Sequence, residues 1–415
     1  MDILPSVSER PPVSCAWFAR RWQVVLWRNW GLAPIDRIAR VLQASEEQLR
    51  QAAGQLGLDP DRQADPVWIS RGYLTIIRQN WHLCSYHQIL TLLDMTEEQL
   101  AFILKEDDFF WHKMGEFKPC IDPPVYQPLS DDDLRRTREM AAWLRQLQPD
   151  DSWHQENGFS FVKHFTRPLS ETERQDAISQ IVPVKDLRTV YSYFALYGDP
   201  LMTPELDPFP EALLAEYARM GIKGVWLQGI LYQLVRFPFD PELSTGHETR
   251  IANLKQLIER AARYDIGVYL YLNEPRAMND AFFQKHPDLR GTREGDFWAM
   301  CTSCPEVQQY LEKATFELFS QAAGLAGFFT ISMSENLTNC YSRTGDGHLC
   351  PRCATRNPWD VVAEVNNLLA RGAKRANPAA RAVVWNWAWG DQWQTRIPPL
   401  LTENQIIQCT SETRL

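Results

Sequence analysis

An all-α module followed by a (β/α)8-type TIM barrel domain is the fold class this sequence predicts, and three observations predict it. The first third of the chain repeats itself at a fixed offset, a run of prolines then marks a crossing, and from Leu187 onward apolar runs alternate with amphipathic helical stretches. The 415 residues suffice for two or three domains, and a 45% hydrophobic fraction is enough to bury sizeable cores.

Asn29-Trp30-x-Leu32 realigns with Asn80-Trp81-x-Leu83 at an offset of 51. The same offset pairs Ile38 with Ile89, Leu42 with Leu93, and Glu46-Glu47-Gln48-Leu49 with Glu97-Glu98-Gln99-Leu100. In each copy a short helix, 35–42 or 86–93, gives way to a capping sequence, Ser45-x-x-Gln48 or Thr96-x-x-Gln99, that opens the next helix. Residues 1–118 therefore read as a duplicated helix-turn-helix-like module. Each second helix starts with Glu-Glu rather than a row of Arg and Lys, which favours packing, docking of a protein partner or self-association over DNA recognition. Pro119, Pro123, Pro124 and Pro128 then mark an extended crossing, and Ser130 with its Asp run opens a helix to Leu147. Residues 119–186 read as a linker with some helix.

In residues 187–415 strands are expected at 189–195, 224–228, 267–272, 327–333, 382–387 and 405–409, with helices at 210–220, 250–264, 305–323 and 358–375. Such alternation means a parallel sheet covered by helices. A (β/α)8 barrel takes about 250 residues and eight strands. Six strands leave it incomplete, so either two units are missing, the sheet is open, or another chain closes it.

Ligands gather at the carboxyl ends of parallel strands. The apolar run 327–333 leads to Glu335 and then to a polar loop with Asn336, Asn339, Cys340, Tyr341 and Arg343. A carboxyl among apolar walls has its charged form disfavoured, stays protonated near neutrality and can donate a proton. Glu335 is accordingly the candidate acid; capping of the following loop or pairing with Arg343 is the structural alternative. The third strand ends in Asn273-Glu274-Pro275-Arg276, where amide and carboxylate together suit a sugar diol and the guanidinium suits a carboxylate, or else the motif is a plain strand-ending turn. Trp385, Trp387 and Trp389 share one face of the fifth strand and Asn386 takes the other, so either the indoles or Asn386 face the cavity. Trp226, Gln228 and Tyr193 are further wall candidates, and sixteen tryptophans provide flat apolar plates for cores or for stacking on sugar rings.

Three segments carry a resemblance to a known superfamily. The fourth strand with Ser334-Glu335-Asn336 resembles the strand-tip Ser-Glu of the α-glucuronidase families and, more distantly, the Asp-Glu tip of the family 20 hexosaminidases. The third strand, 267–275, is similar to that of the same enzymes, and the helix entry Cys301-Thr302-Ser303-x-Pro305-Glu306-Val307 is a weaker third match. Over about 230 residues the chain thus resembles glycoside hydrolases built on (β/α)8 barrels, a likeness of pattern that implies a superfamily and not a substrate. It implies that Glu335 is the general acid; Asn336, Tyr341 and Arg343, on the polar loop that follows it, are candidate substrate contacts. Ser334 stands where family 20 has Asp, so the polariser of an acetamido nucleophile is absent. Glycoside hydrolysis normally needs a second carboxylate, for which Glu412, then Asp391, then Glu274 are candidates. A seventh-strand nucleophile would lie beyond Leu415, and if one is required this chain alone is inactive.

Cys350-Pro351-Arg352-Cys353 has metal-ligand spacing, Cys340 precedes it, and Cys301 and Cys304 form another such pair. Two pairs suffice for a structural zinc, with His348 competing as fourth ligand, while a closed shell of thiolates excludes catalytic zinc. Nine cysteines without an export signal suit free thiols or metal ligands rather than a disulfide frame. Neither a P-loop, a Gly-x-Gly-x-x-Gly fingerprint nor a Gly-x-Ser-x-Gly elbow occurs, so no cofactor for catalysis is expected. A net charge of -9 argues against nucleic acid and anionic membranes, and the chain lacks a long apolar span, so a cytoplasmic location is expected. The expectation is a glycoside hydrolase; the alternative is a non-catalytic carbohydrate-sensing protein with a truncated barrel and a helical docking module.

Overall fold

The computed structural model describes residues 3–107, 110–147, 160–191, 198–333, 336–343, 346–402 and 404–410. The chain divides into two compact units, Met1–Phe161 and Val162–Leu415. Among the described residues no helix is long and apolar enough to cross a membrane.

In the first unit the duplication is visible in three dimensions. Helices Arg21–Asn29, Ile35–Leu42 and Glu46–Gln55 are repeated as Tyr73–Asn80, Tyr86–Leu93 and Glu97–Glu106. Ser45 with Gln48 and Thr96 with Gln99 form complete capping boxes, which satisfy N–H groups that the first turn leaves open. Gln43 and Asp94, again equivalent, both turn the chain in the left-handed region at φ 54° and 57°. The apolar positions that match at the repeat offset, Val25 with Ile76, Leu26 with Ile77, Ile38 with Ile89, Leu42 with Leu93 and Leu49 with Leu100, are all buried in one core. Equivalent helices pack on each other, Arg21–Asn29 on Tyr73–Asn80 and Ile35–Leu42 on Tyr86–Leu93, so each copy covers the apolar face of the other.

A local two-fold axis runs between Asn29 and Asn80. The Nδ2 of Asn29 donates to Asn80 Oδ1 at 2.9 Å, and that of Asn80 donates to Asn29 Oδ1 at 2.8 Å. Each also donates to a carbonyl four residues back in its own helix, Val25 or Ile76. Arg28 donates to the carbonyl of Gln79 and the Gln79 side chain donates to that of Arg28. Lys118, fully buried, donates to the carbonyls of Trp81 and Cys84 and lies over the Trp81 ring.

The proline-rich stretch read as a linker lies on this core rather than hanging between units. Tyr126 N–H donates to Leu42 O, Gln88 donates to Pro124 O, and the Tyr126 ring packs on Trp22 at 4.9 Å. Helix Asp131–Leu147 is fixed by Asp133, which takes Nε and Nη2 of Arg20, and by Gln23, which donates to Thr137.

The second unit is built on six parallel strands in chain order, Thr189–Tyr191, Gly224–Gly229, Gly267–Leu272, Gly327–Ile331, Arg381–Trp385 and Ile406–Gln408. They fall on the six expected runs: Gly267–Leu272 has the expected bounds, Gly224–Gly229 runs one residue further, the last three end one or two residues early, and positions 192–195 of the first run lie outside the described residues. Among the described residues the sheet does not close, and the arrangement is that of an incomplete barrel with helices on its outer side. Outward residues meet the helices: Phe328 touches Phe319 of helix Pro305–Gln321, and Thr330 donates to Asn366 of helix Pro358–Ala376. Those two helices approach closely at Gly372, where a Cβ would come within 2.3 Å of the Glu312 carbonyl oxygen, so no larger residue fits. A three-stranded antiparallel sheet, Met278–Asn279, Arg290–Glu294 and Phe297–Met300, is inserted after the third strand. None of the strands expected from the sequence falls in this stretch.

Candidate functional site

The tip of the fourth strand is held from three sides. Asn273 Oδ1 accepts the Ile331 N–H at 2.7 Å, and the amide nitrogen of Asn273 donates to Tyr271 Oη. Asn366 donates to Ser332 Oγ, and Asn339 donates to the Ser332 carbonyl at 3.1 Å. Asn273, read from the sequence as a sugar contact, is 1% exposed and spends its amide on joining the third strand to the fourth. Glu335 and Glu412, the first two catalytic candidates, and the wall candidate Tyr193 lie outside the described residues.

Glu274 turns inward as well. Its Oε1 accepts the Leu231 N–H at 2.7 Å and its Oε2 the Arg276 N–H at 3.2 Å. Burial pushes this carboxyl up to about 7, against the pull of the Arg276 guanidinium and of the two backbone N–H groups. Glu274 is thus buried, with both oxygens accepting backbone N–H groups of the turn. Arg276 has a different position: Nη1 donates to Asn336 Oδ1 at 3.0 Å, Nε is 4.0 Å from Glu274 Oε1, and Nε and Nη2 have no hydrogen-bond partner although both atoms are buried. Arg276 therefore links the third-strand turn to the loop after the fourth strand and keeps donor capacity in reserve.

Aromatic rings line the inner face of the sheet. Trp226 stacks on Tyr191 at 4.2 Å and meets the edge of Phe329 at 5.0 Å; Tyr271 stacks on Phe329 at 4.8 Å; Trp385 meets Trp387 edge-on at 5.3 Å. Each such pair contributes about 1 kcal/mol beyond its burial. The open choice on the fifth strand is thereby settled for two indoles: Trp385 and Trp387 lie with this inner cluster and are half-buried. Trp389 leaves it, because Ala388 takes a left-handed φ of 57° and sends the third indole into a core with Val362, Val384 and Ile397. Asn386 Oδ1 accepts the Thr410 N–H at 2.8 Å, so it anchors the sixth strand. Gln228 is exposed, and Asp391 is the exposed first residue of helix Asp391–Arg396, where a carboxylate faces the positive end of the helix.

The loop after the fourth strand closes over a thiol cluster. Cys301, Cys340, Cys350 and Cys353 are all buried, and their sulfurs lie within 4.8 Å of one another. Cys304, expected among them, stands apart: it precedes Pro305 at the start of its helix and its thiol donates to Glu306 Oε2 at 2.8 Å. His348 is exposed and is not in the cluster. Arg352 Nε lies 3.2 Å from Cys301 Sγ, and Ser303 Oγ lies 3.2 Å from Cys353 Sγ. Hydrogen bonds with Cys340, first, and with Cys353 and Arg352 pull the Cys301 thiol below its ordinary value, against the opposing effects of Cys350 and burial. Gly291 is required beneath the cluster, since a Cβ there would meet Cys340 Sγ at 2.6 Å. Tyr341 is buried with its hydroxyl shared between the carbonyls of Cys353 and Arg356, and Arg343 is paired with Glu294 of the inserted sheet at 2.9 Å. These two side chains, expected beside the sugar, brace the loop.

No family model matches the sequence, and no curated protein does. Among solved structures the chain is similar to the pneumococcal virulence factor StrH, studied for N-glycan recognition and hydrolysis, at 13% identity and a TM-score of 0.36, over 56% of this chain and 60% of that one. It is similar to a GH20 exo-β-N-acetylglucosaminidase from Vibrio harveyi at 9% identity and a TM-score of 0.33, over 54% and 38% of the two chains. It is also similar to a family 89 glycoside hydrolase from Clostridium perfringens at 12% identity and a TM-score of 0.35, over 54% and 28%. The chain thus spans less than two thirds of each of these enzymes, and no residue role or substrate carries over from them.

Proposed function

We propose that the second unit is carbohydrate-active, a glycoside hydrolase with Glu335 as general acid. The observation that supports it best is Arg276: a largely buried guanidinium at the carboxyl end of a parallel strand, with two buried nitrogens lacking partners, bonded to the residue that follows Glu335 in sequence. Buried donors without acceptors are costly, and a ligand's hydroxyl or carboxylate oxygens relieve that cost. The ring-lined inner face, with Trp226, Trp385 and Trp387 half-buried, offers the flat apolar surfaces on which sugar rings stack. Glu412 and Asp391 are the proposed sources of the second carboxylate, the former from the sequence alone.

Hydrolysis of a panel of nitrophenyl glycosides and glycuronides by the purified chain, beside Glu335→Gln, tests this. Turnover by the parent that falls by about 100-fold or more in the variant is the expected outcome, that being the scale of a lost general acid. Sugar binding by calorimetry without turnover in either protein would instead assign a sensing role. Absence of both turnover and binding for every sugar tried would sink the carbohydrate reading.

A further inference from the structure

We infer that Cys301, Cys340, Cys350 and Cys353 bind one zinc ion as a tetrathiolate, and that this ion fastens the loop carrying Asn336 to the inserted antiparallel sheet. The inference is independent of what the second unit acts on.

The sulfur positions have the geometry of a tetrahedral metal site. Zinc–thiolate bonds of about 2.3 Å place the sulfurs of a tetrahedron about 3.8 Å apart. Here Cys301 Sγ is 3.6 Å from Cys350 Sγ and 3.7 Å from Cys353 Sγ, and all four sulfurs fit within 4.8 Å. The donor set has the softness that selects zinc over magnesium or calcium, and four thiolates leave no open position for a water, so the ion is structural.

Two neighbouring side chains argue independently for anionic sulfur. A guanidinium has donors and no acceptor, so Arg352 Nε, at 3.2 Å, donates to Cys301 Sγ. Ser303 Oγ accepts Arg356 Nη1 at 2.8 Å, which leaves its own proton for Cys353 Sγ at 3.2 Å. Four thiolates around Zn2+ carry two surplus negative charges, and Arg352 and Arg356 place positive charge beside them. Such donors around a thiolate set are the usual outer partners of a metal site.

The chain segments joined are far apart in sequence. Cys301 directly follows the last strand of the insert, whereas the other three belong to the loop between the fourth strand and helix Pro358–Ala376. Cys350 and Cys353 form a tight knuckle, closed by the Cys353 N–H on the Cys350 carbonyl at 3.0 Å. Thr292 of the insert donates to the Cys340 carbonyl, so that the insert and the loop already touch where the ion would bind them.

The test is metal analysis of the full chain, purified without chelator. About one zinc per chain is expected, with Cys350→Ser and Cys301→Ser losing most of it and melting more than about 5 °C lower, while Cys304→Ser keeps the metal. Serine variants that fail to fold are bypassed by treating the parent protein with a strong chelator: zinc release accompanied by four newly titratable thiols is expected, as is intense sulfur-to-metal charge-transfer absorption when Co2+ is added back. A metal-free parent chain with the same melting temperature as the zinc-supplemented one would overturn the inference. So would iron as the dominant metal, or disulfides among these four cysteines in the freshly purified chain.

Discussion

Asn29 and Asn80 in the helical unit and Arg276 at the mouth of the parallel sheet are all polar side chains taken out of water, yet they end differently. The two amides satisfy each other and their own helices, with every nitrogen and oxygen engaged. The guanidinium keeps two buried nitrogens without acceptors. A network that closes on itself specifies a structure; one left open at the carboxyl ends of strands is a place for something else to bind. Glu274 stands between these extremes, with both oxygens engaged but its charge poorly solvated.

The largest effect that would sharpen this contrast lies with Glu274. Its carboxyl is raised to about 7 from an ordinary 4.5, so the folded chain holds a proton that the unfolded chain releases earlier. The associated stability is fully present below pH 4.5, falls as pH rises, and is lost once pH passes 7. The loss amounts to about 3 kcal/mol. Denaturant unfolding of the parent and of Glu274→Gln across this window checks it, and a parent curve as flat as the variant's would break the claim. Next in size, Asn29→Leu strands Asn80 in the core and is expected to destabilise the helical unit by about 2–3 kcal/mol. Asn29→Leu combined with Asn80→Leu should cost less than the two single changes added together, and simple additivity would show that the pair is not coupled.

Arg276→Gln reverses the pattern. Stability should change by less than about 1 kcal/mol, whereas under the proposed carbohydrate function sugar affinity should drop roughly tenfold through the loss of a donor. A large stability loss with unchanged sugar binding would place Arg276 with the asparagines instead. Smallest of all, Ser45→Ala and Thr96→Ala remove equivalent caps and should each cost about 1 kcal/mol, by nearly equal amounts if the two copies are as alike in energy as they are in geometry.

Much of this architecture is legible in the sequence because it is local. The capping boxes, the matching apolar positions and the six strand runs are each set by neighbouring residues, so periodicity and caps reveal them. The inserted sheet was missed although Gly295-Asp296, between Glu294 and Phe297, is a two-residue hairpin turn and Gly295 has a positive φ of 56°. Sequence spacing paired Cys301 with Cys304, but chain direction at Pro305 turns Cys304 toward Glu306, and only the folded loop brings Cys340 to the other three. Asn273, Tyr341, Arg343 and Asn386 have side chains suited to sugars. What commits them to the scaffold is distant backbone and carboxylate groups, and no sequence spacing shows those.

The axis between Asn29 and Asn80 also bears on assembly. A contact in which a position meets its own counterpart is the kind that two identical subunits make across a dyad. One copy of the repeat, taken alone, carries a face complementary to itself. Covalent connection keeps that face occupied by the sister copy at an effective concentration that a free second chain rarely matches. Duplication within the chain has thus turned what would be an oligomerisation surface into interior.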